Sequence, residues 1–187
     1  MLSLAQSPIT LRRLRAGDAE NLAPLINNKK VWDNVRDFIP HPYTEKDAIE
    51  FITFTQQESI PMTFAICHMD KLCGVIGLVK QTDIYAKSAE IGYWLGEPFW
   101  GRGIATVAVK IITEYGFSHL GLVRIYAGIF EYNPASMRVL EKNGYQKEAI
   151  FEKKLFFKSI DSKLFLLLHL SYSSIYLFHY GHQSDIK

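Results

Sequence analysis

The stretch EIGYWLGEPFWGRGIAT, residues 90–106, constrains this chain more than any other part of it. Its first half alternates as a strand does, its centre holds Gly101 and Gly103, and residues 103–120 then carry Ile104, Val107, Ala108, Ile111, Ile112, Tyr115 and Phe117 at helical spacing. A strand that turns on glycines straight into a helix offers the helix's first amides, and the positive end of its dipole, to whatever approaches the turn. Such a turn suits an anion, a pyrophosphate included, although glycines before a helix also serve as a plain tight turn.

Two nucleotide-binding patterns fail on spacing. A P-loop needs a lysine after its last glycine, and Gly103 is followed by Ile104-Ala105-Thr106. A Rossmann turn needs a third glycine where Thr106 stands, and the strands before this turn read as an antiparallel meander rather than a parallel unit.

That meander consists of short apolar runs at 62–68 and 72–79, separated by Met69-Asp70-Lys71, and a third strand at 89–95. Upstream, residues 9–14 alternate as an edge strand, Gly17-Asp18 supplies a turn with a helix cap, and Leu22, Leu25 and Ile26 follow at helical spacing. Thr44 caps a second helix carrying Ala48, Ile49, Phe51, Ile52 and Phe54, and the irregular segment 31–43 between the two helices packs over something. Downstream come a strand at 123–129, a helix at 134–143, a strand at 145–151 and a buried strand at 164–170. One domain over residues 1–170 accounts for this order, and the aromatic run at 175–180 leaves 171–187 as a tail read as a partner surface, an added strand or a frayed end.

Composition excludes several classes. A chain of 187 residues with 48% hydrophobic and 21% charged residues is an ordinary globular domain that needs no disulfide or metal to hold it together. A net charge of +2, with its basic residues spread out, argues against a nucleic-acid partner. Cys67 and Cys73 are two thiols without a disulfide framework. With no signal-peptide pattern and no bilayer-length apolar run, the reading is a cytoplasmic protein with no membrane partner.

The chain resembles the GNAT acyltransferases, whose [QR]-x-x-G-x-[GA] signature lies on such a strand, turn and helix. Gly103-Ile104-Ala105 matches its second half, and Trp100 stands where the general pattern has Gln or Arg. That departure is similar to the RimJ/RimL-like branch, G-Y-W-L-x-x-x-x-W-G-x-G-x-A-T, matched by Tyr93-Trp94-Leu95 and by residues 100–106. A second block, Asn133-Pro134-Ala135-Ser136, Arg138 to Lys142 and Gly144-Tyr145, resembles the branch's N-x-x-S-x-[RK]-V-[LM]-E-K-x-G-[FY].

The resemblance implies the GNAT fold, an α/β protein of α+β type: a mixed, mostly antiparallel sheet, flanked by helices and splayed between the strands at 89–95 and 123–129. It implies acetyl-CoA as co-substrate in the splay, held by backbone near Tyr93, Trp94 and Leu95, by the turn from Trp100 and Gly101 through Arg102, Gly103, Ile104 and Ala105 to Thr106, and by Asn133 from the other side. The guanidinium of Arg102 either meets phosphate or is simply solvated. The implied activity is acetyl transfer to a primary amine, either a small molecule or a protein N-terminus. A non-catalytic acyl-CoA-binding module on the same fold is the alternative.

Aminolysis of a thioester needs a neutral amine and a proton for the departing thiolate. Glu90 stands where similar histone-acetylating members carry their basic glutamate; a solvated or paired carboxylate is the competing reading. Ser136 corresponds to the serine that RimL-like members place near the coenzyme sulfur, and helix capping or sulfur positioning competes with acid catalysis. Tyr132 and Tyr145 are alternative phenols. By the same resemblance segment 31–43 covers the acceptor, which brings in Trp32, Arg36, Asp37 and Tyr43, with Trp32 and Phe38 favoured as structural. No metal set is expected, and a homodimer is one use for the aromatic tail.

Overall fold

The computed structural model describes residues 1–157 and 160–170, so the tail expected at 171–187 lies outside the described residues. In chain order the elements are β1 (Leu2–Ser3), β2 (Ile9–Arg12), α1 (Ala19–Ile26), α2 (Lys29–Trp32), α3 (Glu45–Gln56), β3 (Thr63–His68), β4 (Lys71–Lys80), β5 (Ser88–Leu95), α4 (Ile104–Ser118), β6 (Arg124–Phe130), α5 (Pro134–Glu141), β7 (Gln146–Phe157) and β8 (Ile160–Leu170). They form one sheet in the order β1-β2-β3-β4-β5-β6-β8-β7. Every neighbouring pair is antiparallel except β5 with β6.

That one parallel contact is short. β5 and β6 pair at Ser88 with Arg124, Ala89 with Ile125 and Glu90 with Tyr126, and among the described residues the edge of β5 has no partner strand from Ile91 onward. On its other edge β5 stays paired with β4 as far as Leu95. A twisted sheet with a mixed centre can open here because α4 connects the two strands and holds them from one side. The opening is the expected splay.

The sheet buries both faces. On one, Ile104, Ala108, Val109, Ile111 and Ile112 of α4 pack against Ile76, Leu78, Ile91 and Ile125. On the other, Leu22 and Ile26 of α1 and Ala48 and Ile52 of α3 pack against Ala65, Cys67 and Val75. Strand periodicity therefore divides β5: Ala89, Ile91, Tyr93 and Leu95 join the α4 core, whereas Trp94 packs with α1 and α3. Glu90 shares the Trp94 face. Cys67 and Cys73 are buried free thiols in different cores, so their nearness along the hairpin does not bring them together.

Three local expectations change. Asp18 does not cap α1; its carboxylate accepts from both Arg12 guanidinium nitrogens at 2.7 Å and from the Arg15 N–H at 2.8 Å, tying β2 to the turn before α1. Short α2 interrupts the irregular segment, capped by Asn28, whose side chain accepts from Lys30 N–H. β1, two residues long, extends the sheet edge beyond β2. Thr44 caps α3 as its spacing predicts, with Asp47 completing the reciprocal pair.

Candidate active site

The glycine turn closes because Gly101 and Gly103 each adopt φ 73°, a left-handed conformation that a side chain strains to reach. A Cβ built at either glycine meets nothing within 4 Å. The turn is thus open on the side where a ligand backbone or phosphate would lie. Gly103 begins α4 without a side-chain cap, which leaves the first-turn amides facing that space. Trp100 donates its indole N–H to the Leu95 carbonyl at 2.8 Å and so bridges the strand to the turn.

A cavity of about 440 Å³ runs from this turn along the splay. Tyr93, Trp94 and Leu95 line it from β5, Trp100, Gly101 and Gly103 to Thr106 from the turn, and Asn133 and Ser136 from α5. Its size is that of a small-molecule site. Arg138 and Lys142 also line it, so two cations share the cavity with the anion-ready turn. Both belong to the second motif block, where the resemblance gave them no role of their own. An elongated ligand with phosphates at one end fits these walls.

Asn133 is the cap of α5: its Oδ1 accepts from Ser136 N–H at 3.0 Å. The hydroxyl of Ser136 therefore does not cap the helix. It lies 2.8 Å from the Tyr93 hydroxyl, which burial pushes up to about 12, against the opposing hydrogen bond with Ser136. Tyr145 is elsewhere, bonded to Thr113 Oγ1 at 2.9 Å within the α4 core.

Glu90 lies three residues before Tyr93, about 10 Å along the strand and on the other face. Its carboxylate forms an ion pair with Arg36, which reaches it from the segment after α2. That segment is held at both ends. Trp32 donates its indole N–H to Ile39 O at 3.0 Å and stacks on His41 at 4.7 Å, and Tyr132 donates to Asp33 O at 3.2 Å across the mouth of the splay. Tyr43 is only 7% exposed, clamped through its backbone by the Asn27 side chain and packed in the α1 and α3 core, so it sits apart from the Arg36 and Glu90 pair.

The mouth carries charges of both signs: Asp33 pairs with Lys29, Glu90 with Arg36, and Asp37 stands near Tyr132. Burial and then Glu90 push the Tyr126 hydroxyl up, and burial followed by the charges of Asp33 and Asp37 carries Tyr132 to about 12. Among the described residues no group of three or more His, Cys, Asp or Glu side chains is placed to hold a metal, and no helix is long and apolar enough to cross a membrane.

Residues 9–146 match the family described as Acetyltransferase (GNAT) domain. The chain is similar to the uncharacterized N-acetyltransferase p20 of Bacillus licheniformis, 31% identical over 92% of this chain and 99% of that one. A shorter match, 42% identical, to the probable N-acetyltransferase YjcK of Bacillus subtilis spans 46% of this chain and about half of that relative, 48%. Ribosomal-protein-serine acetyltransferase of Escherichia coli is 26% identical over 79% of this chain and 84% of its own length. Among solved structures, the microcin C7 self immunity acetyltransferase MccE, in complex with acetyl-CoA and AMP, superimposes with a TM-score of 0.73 at 26% identity, covering 87% of this chain and 92% of that one.

Proposed function

The chain belongs to the GNAT acetyltransferases, with the sequence pattern of their RimJ/RimL-like branch, and on that footing we propose that it joins acetyl-CoA and a cationic primary amine across the β5 and β6 splay, with Glu90 as base and Ser136 as acid. The observation that carries this reading is the end of strand pairing at Glu90 and Tyr126. Beyond that point the sheet has a gap, and the gap joins two differently equipped faces. Tyr93 and Ser136 stand on the α4 and α5 side, Glu90 and Arg36 on the side covered by the segment after α2.

The α4 side fits acetyl-CoA. Its phosphates would meet the turn amides around Gly103 and the cations Arg138 and Lys142, and its thiol end would reach toward Ser136. When bound it supplies an activated acyl group with a thiol leaving group. On the other side Glu90 meets an ammonium group once Arg36 moves off its carboxylate. Glu90 accepts its proton, directly or through water, so that the amine attacks as a neutral nucleophile, and Ser136 returns a proton to the leaving sulfur. Because each face serves one substrate, both are held at once and no acyl-enzyme is needed.

With Glu90 as the group that takes its proton, the acceptor is cationic at neutral pH, whether a small amine or a polypeptide N-terminus. The name of the E. coli relative, which acts on a ribosomal protein, supports the second. A cytoplasmic setting agrees with two buried free thiols. The test is a mass-spectrometric screen of amines and peptides with acetyl-CoA, run beside Glu90→Gln. Transfer to a cationic acceptor, slowed on the order of 10²-fold by Glu90→Gln with unchanged acetyl-CoA affinity, supports the reading. Equal turnover by the variant across neutral pH removes Glu90 from the chemistry.

A further inference from the structure

Tyr93 and Ser136, 43 residues apart, bring two hydroxyls together at the wall of the cavity. The Tyr93 oxygen lies 2.8 Å from Ser136 Oγ and 3.2 Å from the Ser136 carbonyl oxygen. Each hydroxyl has one hydrogen, so two arrangements compete. In one, the phenol donates to the carbonyl and the serine hydrogen is spent on the phenol. In the other, the phenol donates to Ser136 Oγ, and the serine hydrogen is left to point into the cavity.

Geometry and acidity both favour the second. A separation of 2.8 Å is the ordinary length of an O–H···O bond, whereas 3.2 Å lies beyond its usual range. A phenol is also a better donor, and a poorer acceptor, than an alkyl hydroxyl. Among the described residues Ser136 Oγ has no other hydrogen-bond partner, and the Ser136 N–H is already taken by Asn133. The backbone of Ser136 is therefore fixed by its helix cap and its side chain by Tyr93.

We propose that Tyr93 is a positioning residue, holding Ser136 so that its hydroxyl hydrogen is directed into the cavity toward the sulfur that leaves the acyl group. The proposal rests on the reading of Ser136 as proton donor. The amine lone pair forms the N–C bond, the C–S pair leaves with sulfur, and the Ser136 hydrogen passes to that sulfur as a proton. Glu90 takes the ammonium's first proton before attack, and the second, which the nitrogen sheds as the amide forms, passes through water to the Ser136 oxygen. Tyr93 keeps its own hydrogen throughout, since burial pushes its hydroxyl up to about 12.

The experiment combines Tyr93→Phe, Ser136→Ala and the double variant, each checked by thermal melting and by CoA affinity, because Phe keeps the ring that packs in the α4 core. Two quantities are measured: kcat with its companion KM for acetyl-CoA, and the pH at which the thiol of bound CoA ionises, followed by ultraviolet absorbance of the thiolate. Ser136→Ala is expected to lower kcat about tenfold or more. Tyr93→Phe should lower it about three- to tenfold with KM unchanged, and by less than about twofold when Ser136 is already Ala. The bound thiol should ionise at lower pH in the parent than in Ser136→Ala, with Tyr93→Phe between them. The same loss from Tyr93→Phe in both backgrounds, or a thiol titration that Tyr93→Phe does not move, overturns the positioning role while Ser136 stands. A silent Ser136→Ala in both measurements overturns the proton-donor reading and this one with it.

Discussion

Arg36 covers Glu90. The guanidinium comes from the segment between α2 and α3 and pairs with the carboxylate at the last position where β5 and β6 are joined, the two side chains being 59% and 22% exposed. A base so paired cannot face an incoming ammonium until the arginine moves aside. An exposed pair of this kind is worth little to stability, about 0–1 kcal/mol.

Replacing Arg36 by Ala should therefore lower the KM of a cationic acceptor by several fold, change the melting temperature by no more than a degree or two, and leave acetyl-CoA affinity as it was. Steady-state kinetics at fixed saturating acetyl-CoA make the comparison. A KM that rises instead would show that Arg36 holds the acceptor rather than competing with it.

Arg138 and Lys142 line the same cavity as the open turn. Removing both charges, Arg138→Ala with Lys142→Ala, should weaken CoA about tenfold or more at low ionic strength and flatten the salt dependence of binding, since charge-assisted contacts to phosphate are lost. Calorimetric titration measures this, and pantetheine, which lacks the phosphates, is the control. An equal loss for pantetheine would place the effect in packing instead.

Asp18 supplies an acid-sensitive contribution to stability. Burial alone would push its carboxyl up, but the Arg12 fork and the Arg15 N–H outweigh burial and hold it below the ordinary carboxylate range. A carboxyl lowered in the folded state stabilises fully above its unfolded value, near pH 4, and loses that contribution as pH falls through the lowered value. Asp18→Asn should cost on the order of 3 kcal/mol at pH 7, because it strands a largely buried Arg12, and should flatten the acid limb of melting temperature against pH. Parallel limbs for parent and variant would contradict the assignment.

What the sequence made legible was local. Gly101 and Gly103 announced the turn, the helical spacing after them announced α4, and Thr44 announced α3, because each signal is contained within one or two turns of chain. Contacts made at a distance were not legible. The motif named Tyr93 for its backbone, and only the packing of α5 against the splayed β5 brings its hydroxyl to Ser136. Segment 31–43 has no period, so nothing in it distinguished Arg36, which reaches Glu90, from Tyr43, which Asn27 draws into the core. Asp18 looked like a cap because caps are commonly Asp, and an arginine six residues earlier took its carboxylate instead.

The central claim is that acetyl-CoA binds in the splay through the turn at Gly103, and thermal unfolding with and without acetyl-CoA tests it most directly. A ligand that binds only the folded state, at about 100 times its dissociation constant, adds roughly 2.7 kcal/mol, which for a domain of this size raises the melting temperature by about 5–10 °C. Gly103→Val should abolish most of that rise, because its side chain would fill the space left open at the turn and strain a backbone at φ 73°. The comparison is made on variant protein whose circular dichroism matches the parent. A parent protein that shows no rise with acetyl-CoA or CoA at millimolar concentration, or a folded Gly103→Val that shows the full rise, would contradict the claim.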